Sequence, residues 1–137
     1  MTSRLLPMAL VALGALIAVR VAPVTAHHSF AAEFDANKPI TLKGVVTQID
    51  WTNPHVWFYI NVKDEDGKTV RWAWEMGAPH QLQQRGWLRE TMKVGDVVTV
   101  AGSLARDGSN RANARNVTTA DGKTLGAASS GDPTTRQ

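Results

Sequence analysis

The residues with the clearest metal-binding chemistry are two adjacent histidines, His27 and His28. They directly follow Val24-Thr25-Ala26, which has small residues at the −3 and −1 positions that signal peptidase requires. Cleavage after Ala26 would make His27 the first residue of the mature chain. A free α-amino group and an imidazole on one residue form a chelate for a divalent transition metal, so this junction predicts a metal site.

Copper is the ion that this chelate favours, because copper(II) prefers a tetragonal set of nitrogen and oxygen donors and stands highest in the divalent affinity series. One further imidazole would complete a T-shaped three-nitrogen site, the arrangement called a histidine brace. The candidates for that donor are His28, His55 and His80. His55 is favoured because the Asn53-Pro54 turn fixes the chain ahead of it, and His28 is its substitute. Protons compete for amine and imidazole, so affinity is expected to fall below roughly pH 6.

Other interpretations of the same residues stay open. Exposed N-terminal histidines bind copper weakly in any peptide, and His55 would then only hydrogen-bond the backbone of its turn. Cleavage one residue earlier would leave Ala26 first and His28 third, which is the amino-terminal copper and nickel chelate. Met76 offers a thioether sulfur, but the alternation of its strand directs it into the core.

Residues 1–26 are expected to be a cleaved signal peptide. Arg4 precedes an apolar run from Leu5 to Val19, which is shorter than the about 20 residues that a membrane-spanning helix needs. An uncleaved N-terminal helix is the alternative. The mature protein is therefore expected in the periplasm or outside the cell, with no stable membrane anchor.

Composition limits the partners of the mature chain. The absence of cysteine excludes disulfides, thiolate metal ligands and redox thiols. Thirteen of the 15 Lys and Arg residues follow Ala26 and face 12 Asp and Glu residues, which leaves a formal charge of +1. This balance argues against nucleic acid as a partner. A metal ion and another exported protein are the partners that we expect.

Alternating apolar and polar residues predict one mainly β domain over residues 27–125. The expected strands are Ile40–Trp51, His55–Lys63, Lys68–Met76, Val97–Ala105 and about Ala112–Thr119. The apolar parity of the first strand changes at Gly44, which predicts a bulge or a sharp bend there. Pro79 and Gly86 bracket a short helix, Pro79–Arg85. This order predicts a small OB-like barrel of five to six strands, with a sandwich-like barrel as the alternative.

Residues 126–137 form the last predicted segment. They are rich in Gly, Ser, Thr and Ala and contain no bulky apolar side chain. Such a composition cannot bury enough surface to offset the entropy of ordering, so we expect a disordered tail.

A second candidate site lies on the outward face of the predicted second strand and in a later loop. Trp57 and Tyr59 could stack on a ligand or partner, and Arg111 could hold an anion. These residues define the alternative function, an OB-like binding module without a metal. The interpretation that we favour is that the lead-in, through Phe30 and Phe34, folds back over this row and makes it a second small core.

Enzymatic activity is not favoured by the remaining residues. No nucleophile with a supporting base is visible, and no G-x-S-x-G stretch occurs. Glu33 and Glu75 stand as isolated carboxylates without a visible acid–base partner. A component of a copper-dependent oxidase is a weaker alternative.

Several stretches together resemble a family of small exported bacterial proteins that carry a domain of unknown function. The matching stretches are Ala26–Phe30, Phe34-Asp35, Asn53–His55, Trp74-Glu75, Arg85–Trp87, Gly95-Asp96, Val98–Val100 and Asp107–Ser109. They extend over nearly all of residues 26–125. The resemblance implies a single exported domain and demotes His80 as a ligand, and it implies no activity.

Overall fold

The computed structural model describes residues 29–135, so the expected signal peptide and the pair His27 and His28 lie outside the described residues. The described elements are α1 (Phe30–Glu33), β1 (Phe34–Asp50), β2 (Trp57–Lys63), β3 (Thr69–Glu75), α2 (Pro79–Gln84), β4 (Val97–Ala105), β5 (Arg111–Thr118), β6 (Thr124–Gly126) and a 3-10 turn, Pro133–Thr135. Within residues 29–135, no helix has the length and apolar character needed to cross a bilayer.

Five strands close into a barrel. Hydrogen bonding runs in the order β3-β2-β1-β4-β5-β6, and an additional pairing of β3 with β5 completes the ring. That closing pair is parallel and brings Glu75 of β3 opposite Asn113 of β5. The OB fold has this order: three strands, a helix and two further strands around a closed barrel. The OB-like barrel expected from the sequence is therefore confirmed.

The alternation of β2 positions the barrel core as the sequence predicts. Val56, Phe58 and Ile60 are all 0% exposed. Phe58 stacks on Trp74 of β3, with ring centroids 6.4 Å apart. Met76 is also 0% exposed, which confirms its inward direction. The opposite face of the same two strands carries the candidate site.

The expected bulge at Gly44 is wrong by three residues. The register of β1 against β2 shifts between Val46 and Gln48. Val45 is 42% exposed, whereas Val46 is 1% exposed. Gly44 pairs regularly with β4, but a Cβ at this position would lie 2.5 Å from the carbonyl oxygen of Asn61. The glycine therefore marks a close approach of β1 and β2 rather than the change of face.

The expectation of a disordered tail is also wrong for residues 126–135, and residues 136 and 137 lie outside the described residues. Gly126 ends β6, and Ala127, Ala128 and Asp132 beyond it are at most 1% exposed. Small side chains allow this segment to lie flat on the barrel, where a Cβ on Gly131 would be only 2.8 Å from the Cβ of Phe30. Backbone hydrogen bonds and close packing thus replace the bulky apolar anchors that the tail lacks.

Candidate functional site

His55 is fixed at the end of β3 by its neighbour Val56. The amide of Val56 donates to the carbonyl of Gly77 at 3.1 Å, and the amide of Met76 donates to the carbonyl of Val56 at 2.8 Å. Because the Val56 side chain is fully buried, the chain on both sides of it has little freedom. His55 therefore leaves the barrel core on the outer face, beside the last residue of β3.

That last residue, Glu75, contacts the imidazole directly. Nδ1 of His55 lies 3.1 Å from Oε1 of Glu75, and the side chains are 26% and 9% exposed respectively. A neutral ring that donates its Nδ1–H to a carboxylate carries its lone pair on Nε2. A carboxylate in this position is the usual means by which proteins orient a metal-binding histidine and raise its basicity.

The environment of Glu75 disfavours its negative charge. Burial raises the pKa of Glu75 to about 7, and the negative charge of Glu33 acts in the same direction. The positive charge of Arg111 and a hydrogen bond from Asn113 act against this shift without cancelling it. A cation at the adjacent His55, either a proton or a metal ion, would favour the ionised carboxylate.

Two further buried polar side chains extend the pair. Nδ2 of Asn113 lies 3.4 Å from Oε1 of Glu75 and 2.9 Å from Oγ of Ser129. Asn113 is 0% and Ser129 is 4% exposed. Oδ1 of Asn113 is buried and accepts no hydrogen bond within the described part of the chain. The arrangement is a polar cluster of four side chains from four separate segments.

Sequence reasoning missed three members of this cluster. Glu75 stands as an isolated carboxylate in the sequence, whereas the structure gives it His55 and Asn113 as neighbours. Alternation along β3 places Glu75 on the same outer face as Trp57, and this pattern was a usable signal that Glu75 could belong to the site. No comparable signal pointed to Asn113 or Ser129, because their proximity depends on barrel closure and on the tail.

Arg111 lies near this cluster within a chain of charges. Its guanidinium is 3.2 Å from the carboxylate of Asp107 and 3.9 Å from that of Glu33. Two acidic groups thus already face the arginine that the sequence offered as an anion ligand.

Trp57 and Tyr59 have different surroundings, although both lie on the outer face of β2. Trp57 packs against a small cluster of Phe30, Phe34 and Ala105. The guanidinium carbon of Arg71 lies 4.5 Å from the ring centroid of Tyr59. The predicted second core is therefore confirmed for Trp57, while Tyr59 stacks with an arginine outside it.

Replacement of Trp57 by alanine is expected to destabilise the domain by about 2 kcal/mol, somewhat less than for a fully buried tryptophan. The reason is that the indole fills the contact between β2 and the lead-in. Urea unfolding followed by circular dichroism measures the change, with Tyr59→Ala as the matched variant of smaller effect. An unfolding free energy that Trp57→Ala leaves unchanged would contradict this packing role and would favour Trp57 as a binding residue.

Comparison with known proteins places the chain in a family. One family model matches residues 15–114, which is well over half of the sequence. The chain belongs to DUF6152, a family of unknown function. This confirms the expected kinship with an uncharacterised family, and DUF6152 brings no activity with it.

Two further comparisons complete this result. No protein of curated function matches the chain. Among solved structures, the crystal structure of the mitochondrial single-stranded DNA-binding protein Rim1 from S. cerevisiae is similar, with a TM-score of 0.47 and 13% identity. That similarity covers 60% of this chain and 92% of the yeast chain.

The described residues do not contain a complete metal site. No group of three or more His, Cys, Asp or Glu side chains within residues 29–135 is arranged to hold an ion. His55 and Glu75 provide one imidazole and the carboxylate that orients it. The histidines of the given sequence that lie outside the described residues are His27 and His28.

Proposed function

We propose that the mature protein is an exported metal-binding protein of the periplasm or cell exterior, with copper(II) as its favoured ion. The ligands would be the α-amine and imidazole of His27 and Nε2 of His55, with His28 as a substitute. The observation that carries the proposal is the 3.1 Å contact between His55 and the buried Glu75. A carboxylate at this distance supports the orientation and tautomer that a metal-binding histidine needs.

The packing of α1 supports a meeting of the two ends of the site. Phe30 is 6% exposed and belongs to the cluster against which Trp57 packs. His27 precedes Phe30 by three residues, a reach of at most about 10 Å for extended chain. Trp57 follows His55 by only two residues. These chain lengths would allow the terminus that cleavage creates to reach His55.

The donor types support copper(II) over copper(I). The proposed site offers nitrogen ligands with a nearby carboxylate, whereas copper(I) favours thiolate and thioether sulfur. The chain has no cysteine, and Met76 is fully buried in the barrel core. Zinc would compete less well, because it stands below copper(II) in the divalent affinity order.

The role that fits these features is metal handling or delivery. A redox enzyme would need a shaped substrate surface beside the metal in addition to the ligands. Trp57 packs against the lead-in and Arg111 is ion-paired, which supports roles in packing and charge balance rather than in substrate capture. Transfer to another exported protein is the corresponding partner interaction.

Removal of the His55 imidazole tests this function. Copper(II) titration of the processed protein is expected to show at least roughly 100-fold weaker binding for His55→Ala, since loss of a ligand costs no less than loss of an orienting group. His80→Ala is the matched control, because His80 is exposed on α2. A copper affinity of His55→Ala that equals those of the wild type and His80→Ala would contradict the proposal.

A further inference from the structure

The residues after β6 form a C-terminal strap, defined here as residues 127–132. The amide of Ala127 donates to the carbonyl of Arg115 at 2.8 Å. The carboxylate of the fully buried Asp132 lies 3.6 Å from Nε of the same arginine. The strap is therefore fixed near both ends to one residue of β5, and Ser129 lies between these two anchors.

Ser129 is the first group in a continuous path of polar contacts that ends at the His55 ring. Its Oγ accepts a hydrogen bond from Nδ2 of Asn113 at 2.9 Å, and this Nδ2 lies 3.4 Å from Oε1 of Glu75. The same Oε1 is 3.1 Å from Nδ1 of His55. Ser129, Asn113 and Glu75 are all less than 10% exposed. Where water is excluded in this way, each group depends on its neighbour for orientation.

We propose that Ser129 is a positioning residue for His55, because it accepts the hydrogen bond that holds the Asn113 amide in place beside the Glu75 carboxylate. With Ser129 present, the amide directs its NH2 group towards both oxygens. Without the serine oxygen, Nδ2 of Asn113 keeps only the longer of its two contacts, so the amide is less firmly held against Glu75. Glu75 would then hold the Nδ1 proton of His55 less firmly.

This inference rests on the proposed function for its biological meaning, since Nε2 of His55 is the proposed metal-binding atom. The contacts themselves involve only described residues and exist without metal. Ring orientation can therefore be measured separately from copper binding. Failure of the two proposals would give different results.

The test is nitrogen-15 NMR of the metal-free protein with labelled histidine, at alkaline pH where imidazole is neutral. The two ring nitrogens report which of them carries the proton. We expect His55 to be mainly the Nδ1–H tautomer in the wild type and to move towards the tautomer ratio of exposed His80 in Ser129→Ala. Ser129→Thr, which keeps the hydroxyl, should retain the wild-type ratio. Ser130→Ala, at the exposed neighbouring position of the strap, is the matched control and should leave it unchanged.

Glu75→Gln provides the reference for a ring that has lost its carboxylate. A wild-type tautomer ratio in folded Ser129→Ala would overturn the proposal, whatever the ratio in Glu75→Gln. Should Ser129→Ala fail to fold, Asn113→Ala removes the next link and is judged by the same criterion. In copper titrations, Ser129→Ala should raise the dissociation constant roughly 10-fold. Absence of copper binding in the wild type would end the proposed function, and the tautomer would still decide the role of Ser129.

Discussion

Retention of Val24-Thr25-Ala26 ahead of His27 is expected to weaken copper(II) binding by at least roughly 100-fold, as expected for loss of a primary ligand. In the processed chain, the α-amine and imidazole of His27 bind as one chelate. In the extended chain, the same nitrogen is a peptide amide and no longer binds as an amine. Competition titration against a chelator of known affinity measures the difference, with intact mass confirming each N-terminus.

The length of this extension is part of the experiment. One additional residue would place His28 third, and two would place His27 third, and either product is itself an amino-terminal copper chelate. Three additional residues place Ala26 third and avoid both. Equal affinity of the chains that begin at Val24 and at His27 would contradict a role for the free terminus.

The metal-free protein is expected to lose stability between about pH 4.5 and pH 7 because of Glu75. The pKa of this carboxyl is raised by burial from 4.5 to about 7 in the folded state. A raised pKa means that the folded state binds the proton more tightly than the unfolded state, so the Glu75 contribution is most favourable below pH 4.5 and is lost as pH rises through 7. A shift of this size corresponds to about 3 kcal/mol at most.

Urea unfolding of wild type and Glu75→Gln at several pH values isolates this contribution. The unfolding free energy of the glutamine variant should rise relative to that of the wild type as pH rises, because glutamine carries no charge to bury. Glu90→Gln, at an exposed position, serves as the matched control and should follow the wild-type profile. A difference between wild type and Glu75→Gln that stays constant with pH would show that Glu75 titrates normally.

The barrel could be predicted from the sequence where one face of a strand is fully buried. The predicted bounds Val97–Ala105 match β4, and alternation in β2 correctly separated Phe58 and Ile60 from Trp57. Burial on one face produces a period of two that needs no knowledge of partner strands. The bulge in β1 was predicted at the wrong residue, because Gly44 is required by a close approach of two backbones and not by the bulge.

Only His55 of the candidate site could be predicted from the sequence, because the other members come together through long-range contacts. His55 could be selected from its type and from the turn before it. Glu75 lies beside it through the pairing of β2 with β3, and Asn113 and Ser129 join Glu75 through the parallel pairing of β3 with β5 and through the strap. These are long-range contacts made by polar or small residues, and hydrophobic patterning carries no information about them. The small residues of the strap even suggested disorder, although they are what allows it to lie flat.

The most direct measurement of the central claim is pulsed EPR of the processed protein loaded with one equivalent of copper(II). This method detects the remote nitrogen of each coordinated imidazole. We predict signals from two imidazoles in the wild type and in His80→Ala, and from one imidazole in His55→Ala. A single imidazole in the wild type, or a spectrum that His55→Ala leaves unchanged, would contradict a metal centre shared by the N-terminus and the barrel.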